Sequence, residues 1–104
     1  MTGPRVGIVV ATFRGERTLP ATLASIRAQT FPDWACCIVD DGSDDSTRHV
    51  ACALTAGDPR FTTLAQDRSG TSAARNRGLG ALPPTVEYVT FLDQDDLWEP
   101  DAIA

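Results

Sequence analysis

The chain has 104 residues, 42% of them apolar, which suits one domain built on a single core. Its nine basic residues, all arginine, stand against fourteen acidic ones, and the net charge of -5 disfavours a nucleic-acid partner. No run approaches the roughly 18 apolar residues of a membrane span, and residues 1–5 lack the charged and apolar regions of a secretory signal, so a cytoplasmic location is expected.

In chain order, "RVGIVVA" (residues 5–11) is nearly continuous and β-branched, as a parallel strand covered on both faces would be. After a turn at Arg14 and Gly15, residues 18–29 place Leu19, Leu23 and Ile26 at helical spacing, with Thr18 as the expected cap and Pro20 in the first turn. "FPDW" is turn chemistry, and "WACCIV" (residues 34–39) is a second apolar strand. Its neighbours Cys36 and Cys37 should point to opposite faces of a sheet. Together with Cys52 they are odd in number and lack C-x-x-C spacing, so all three are expected to be reduced core residues. A second helix should begin between Asp44 and Ser46, turn Val50 and Leu54 inward, and stop at "AGDPR". "FTTLA" (residues 61–65) reads as a weaker third strand, residues 71–82 as a third helix flanked by glycines, and "VEYVTFL" (residues 86–92) as a fourth strand. His49 is expected to be a surface or boundary residue.

This β-α-β-α-β-α-β order predicts a Rossmann-like α/β/α sandwich over a mainly parallel sheet, with strand order 3-2-1-4. In such sheets ligands bind beyond the carboxyl ends of the strands. Polar residues gather there: Thr12 and Phe13 after the first strand, Asp40 to Ser43 after the second, Asp93 to Asp96 after the fourth. Seven of the fourteen acids, Asp40, Asp41, Asp44, Asp45, Asp93, Asp95 and Asp96, lie within residues 40–45 and 93–96. Carboxylates at close range repel, so the rim should need a cation, a ligand's donors or solvent. Asp44 and Asp45 are read as helix caps. Asp40 and Asp41 before Gly42 suit either a solvated turn or a site. Asp93-x-Asp95, directly after a strand, could present two oxygens to a hard cation such as Mg²⁺ or Mn²⁺, which completes its shell with waters and substrate phosphates. The turn after the first strand has neither G-x-G-x-x-G nor G-x-x-x-x-G-K-[ST], and a chain without lysine cannot form a P-loop.

Three stretches together, residues 6–47, "SGTSAARNRGL" and "FLDQDDLWEPDAI", resemble the amino-terminal half of a family 2 glycosyltransferase of the GT-A fold. The resemblance covers nearly the whole chain. It implies one domain over residues 1–104, a nucleotide-diphospho-sugar donor, UDP-linked, a divalent cation, and inverting transfer to a carbohydrate or lipid-linked acceptor, in the cytoplasm or at the cytoplasmic face of a membrane. It further implies that Ala11, Thr12 and Phe13 line the nucleoside, that Asp41 accepts a hydrogen bond from the base with Asp40 beside it, and that Arg75 lies near the nucleotide. Asp93 then serves the ribose or the metal shell, and Asp95 the cation. Arg14 departs from the family, which often has Asn there. The general base would lie beyond Ala104, making this a donor-binding fragment; the other expectation is a non-catalytic nucleotide- or metal-binding module of the same fold.

Overall fold

The structure, a computed structural model, describes residues 3–93. The strands are β1 (Val6–Thr12), β2 (Trp34–Asp41), β3 (Phe61–Gln66) and β4 (Tyr88–Asp93), and the helices between them are α1 (Leu19–Arg27), α2 (Thr47–Thr55) and α3 (Thr71–Gly80). Among the described residues the strands form one sheet in the order β3-β2-β1-β4, as predicted, and every pairing is parallel. Asp95 and its neighbours Gln94 and Asp96 lie outside the described residues.

Strand alternation divides the core into two layers. Ile8, Val10, Trp34, Cys36, Ile38, Phe61 and Leu92 face α1 and α2, where they meet Leu19, Leu23, Ile26 and Ala51. Cys37, Val39 and Ala74 form the thinner layer under α3, with Ala11, Leu64 and Leu82 at its margin. The α1 stripe is the predicted one, and each of its three fully buried side chains contributes about 1.5–3 kcal/mol relative to exposure. Thr18 occupies the cap position of α1 but does not cap it with its side chain; its hydroxyl donates back to the Gly15 carbonyl at 3.4 Å.

One other expectation needs correction. The buried face of α2 is Thr47, Ala51 and Thr55, with Leu54 packed at the edge of the core and Val50 only half-buried. Two polar residues are thereby enclosed, because the Thr47 and Thr55 hydroxyls have partners inside the fold. On the other sheet face, Gly78 lies inside α3, as the expected helix 71–82 has it. A Cβ there would lie 2.6 Å from Val9 Cγ1, so its absence lets the helix settle directly on β1.

Cys36 and Cys37 are buried in opposite layers, as alternation requires, whereas Cys52 lies on the outer side of α2 and is exposed. Burial pushes the Cys36 thiol well above its ordinary value and raises that of Cys37 to about 11. The thiolate is the reactive form. A thiol reagent should therefore label one cysteine in the native protein, Cys52, and all three after denaturation. Rapid native labelling at Cys37, read by peptide mass, would show that the α3 layer is open.

Candidate functional site

Parallel register brings the strand ends to one rim. Thr12 lies beside Asp40, Asp40 beside Ala65, and Asp41 beside Gln66, while Ala11 is flanked by Val39 and by the backbone of Asp93. Six predicted site residues, Ala11, Thr12, Phe13, Asp40, Asp41 and Asp93, thus share the carboxyl edge of the sheet. Arg75 is in α3, half-buried, with its guanidinium carbon 5.4 Å from the centre of the Phe91 ring.

The paired aspartates do not face each other. Asp40 and Asp41 are each 2% exposed, yet they are neighbours in one strand and point to opposite sheet faces. On the α1/α2 side, Asp40 accepts a hydrogen bond from the Ser43 hydroxyl. On the α3 side, Asp41 accepts four. Its Oδ1 takes the Gln66 side-chain amide at 2.9 Å and the Ser69 N–H at 2.8 Å; its Oδ2 takes Arg68 Nη1 and the Gly70 N–H, both at 2.9 Å. A carboxylate has about four acceptor positions, so the chain fills them all. Burial pushes the Asp41 carboxyl up, but the bonds from Gln66, Ser69, Gly70 and Arg68 together outweigh it and hold the group below the usual carboxylate range.

Neighbouring acids are satisfied in the same way. Asp44 pairs in a two-bond fork with Arg14, both contacts at 2.8 Å, and Asp45 accepts the Thr47 N–H at 3.0 Å at the start of α2. Only Asp45 plays the expected capping part. The same fork binds the β1–α1 loop to the β2–α2 loop, helped by the Arg14 N–H on Ser43 Oγ and the Gly15 N–H on Thr47 Oγ1, both 2.9 Å. Arg14 has φ 53°, in the left-handed region that Asn enters more readily. Arg14 thus holds a conformation that Asn adopts at lower cost.

Sequence reasoning missed Arg68, Gln66 and Ser69. A signal was available: strand order 3-2-1-4 puts the loop after β3 beside the end of β2, so residues 66–70 had to reach this rim. Arg68 also lies over the Phe13 ring, 3.7 Å from its centre, and Arg14 is 4.9 Å from the same centre. Gly42, with φ 76°, passes so close to this loop that a Cβ would meet the Arg68 backbone nitrogen at 2.6 Å. Among the described residues no group of three or more His, Cys, Asp or Glu side chains could hold a metal ion.

Two expected outcomes follow from this packing. Gly42→Ala should cost at least about 2 kcal/mol, from the left-handed backbone and the collision with main chain. Asp41→Asn should cost about 2–4 kcal/mol at pH 7, because buried donors lose a charged acceptor. The folded Asp41 carboxyl titrates below its unfolded value of about 3.9, so its contribution is complete above that value and is lost as pH falls through the folded pKa. The stability gap between parent and Asp41→Asn in denaturant melts should therefore narrow as pH falls below about 4. A stability gap that stays constant from pH 7 to pH 3 would contradict the assignment.

Comparison with known proteins agrees with this architecture. The model for Glycosyl transferase family 2 matches residues 7–104. The succinoglycan biosynthesis protein ExoW of Rhizobium meliloti is 37% identical over 99 residues, covering 93% of this chain and 31% of that protein. The UDP-Glc:alpha-D-GlcNAc-diphosphoundecaprenol beta-1,3-glucosyltransferase WfgD of Escherichia coli is 32% identical, covering 89% and 36%. The crystal structure of S. aureus TarS 1-349 in complex with UDP-GlcNAc has a TM-score of 0.80 at 26% identity, covering 89% of this chain and 27% of that one. The mannosyltransferase PcManGT of Pyrobaculum calidifontis, at 24% identity and a TM-score of 0.79, shares the fold. This chain spans about a third of the length of relatives such as ExoW and WfgD. By family match, identity and fold alike, the chain belongs to glycosyl transferase family 2.

Proposed function

We propose that the chain is the donor-binding part of a glycosyltransferase that takes a nucleotide-diphospho-sugar, UDP-linked, and passes its sugar with inversion to the hydroxyl of a carbohydrate or lipid-linked acceptor. The observation that carries this reading is the single rim on which Ala11, Thr12, Phe13, Asp40, Asp41 and Asp93 meet. Support comes from WfgD, whose name records a UDP-Glc donor and a diphosphoundecaprenol acceptor, and from TarS, solved with UDP-GlcNAc.

In this reading the ends of β1 and the Phe13 ring line the nucleoside, and Arg75 lies on the nucleotide's path. Asp41, with its acceptor positions filled by the chain, serves the nucleoside by fixing residues 66–70 rather than by accepting a base N–H directly. Asp93 and Asp95 would hold Mg²⁺ or Mn²⁺. Two carboxylates suit an ion that keeps waters and takes phosphate oxygens, and such an ion offsets charge on the departing nucleoside diphosphate. The general base belongs to the part of the longer relatives that this chain does not match. Tyr88, Val89 and Phe91 stand exposed on β4 at the edge of the described sheet, which supports a further packed segment in the complete enzyme.

Calorimetric titration of UDP, with Mn²⁺ and with chelator, tests the reading. The parent should bind more tightly with Mn²⁺. Asp95→Asn should melt within about 1 kcal/mol of the parent, since one of several neighbouring carboxylates is neutralised, and its UDP affinity should no longer respond to Mn²⁺. Full Mn²⁺ enhancement in the variant would remove Asp95 from the metal site. A parent that binds none of UDP, GDP, dTDP or CMP would end the donor reading.

A further inference from the structure

We infer that Arg68 is a positioning residue of the nucleoside end of the rim, bracing Phe13 and the 66–70 loop through Asp41. The inference rests on the donor-binding reading above.

Arg68 follows β3 and is 55% exposed at its side chain, so neither burial nor core packing accounts for where its guanidinium lies. Three contacts fix it. Nη1 donates to Asp41 Oδ2 at 2.9 Å, where the partner is only 3% exposed. The guanidinium carbon sits 3.7 Å from the centre of the Phe13 ring, close enough for a planar cation to lie on an aromatic face. Its backbone is pressed against Gly42, at a distance no side chain on residue 42 would allow.

These contacts come from three different loops. Phe13 follows β1, Asp41 and Gly42 end β2, and Arg68 itself lies between β3 and α3. A ring on a connecting loop can turn freely unless something holds it. One face of Phe13 is held by Arg68, and Arg68 is held by a carboxylate that also anchors the Ser69 and Gly70 amides. Arginine suits this part and lysine does not, because only the planar fork can lie on a ring while it donates in its own plane. The brace orders the surface that Phe13 offers before any ligand arrives, and it acts on a nucleoside through the ring and the loop.

Two variants, Arg68→Gln and Arg68→Lys, test this, and both should fold because the side chain is half in water. Amide hydrogen exchange on the ligand-free protein is the first measurement. Arg68→Gln should speed exchange at Ser69 and Gly70 about ten-fold while the amides of Val9 and Ile38 keep the parent's rates. Arg68→Lys, which keeps a charge for Asp41, should restore most of that protection. The second measurement is UDP affinity by titration: Gln should lower it about ten-fold, and Lys, unable to lie on Phe13, should recover less than half of the loss on a logarithmic scale. Parent-like exchange at Ser69 and Gly70 in Arg68→Gln overturns the brace, whatever the nucleotide result. Normal UDP affinity in Arg68→Gln overturns its part in binding. A parent that binds no nucleotide refutes the donor reading instead, and the exchange arm still decides whether Arg68 is a brace.

Discussion

The buried carboxylate of Asp41 is the constraint from which the rim is built. An ionised group at 2% exposure is costly unless the protein replaces its water, and here four donors do so. Two of them are backbone amides just ahead of α3, one is the Gln66 side chain, and one is a guanidinium that reaches on to Phe13. The requirement therefore dictates the path of residues 66–70, the approach of Gly42 and the seat of an aromatic ring from another loop. Removing the charge would leave several donors stranded at once, which is why one aspartate can order three loops.

Strand alternation explains how so many acids tolerate one another. Residues 40 and 41 are adjacent in sequence but are separated by the thickness of the sheet, so their charges are solvated by different groups. Asp44 and Asp45 then divide their tasks between an arginine and a helix start. The repulsion that composition suggests at this loop is met by the chain's own donors, with no ligand required. Arg14 and Arg68 thereby offset the charge of Asp44 and Asp41 at the rim.

Most of the fold was legible in the sequence because its signals are repetitive. Apolar runs such as residues 34–39 are strands covered on both faces, the Leu19, Leu23 and Ile26 spacing is a helix, and their alternation with short connections leaves few topologies. Errors arose where a residue's surroundings outweigh its type. Cys52 was assigned to the core on composition, but it falls on the outer side of α2; Thr47 and Thr55 were passed over as polar, but their hydroxyls are satisfied inside. Gly78 fell inside the expected third helix, but its use, to let a backbone come close, could not be read from the pattern. Each of these depends on what lies across the interface, and periodicity along one element carries no such information.

The rim was legible in part for the same reason. The place of Ala11, Thr12, Asp40, Asp41 and Asp93 at the carboxyl edge of the sheet follows from topology. Arg68 is placed by a side chain on the adjacent strand, and neither its neighbours Asp67 and Ser69 nor its spacing marks it as more than a turn residue. What could have exposed it is an accounting of partners. A buried aspartate at the end of β2 must take its donors from the adjacent strand's loop, and in the order β3-β2-β1-β4 that loop is residues 66–70. Within it, Arg68 is the one cation, so the demand set by Asp41 selects it. Satisfying a buried charge is a stricter condition than matching a motif, and at this edge it identifies a residue that the motifs pass over.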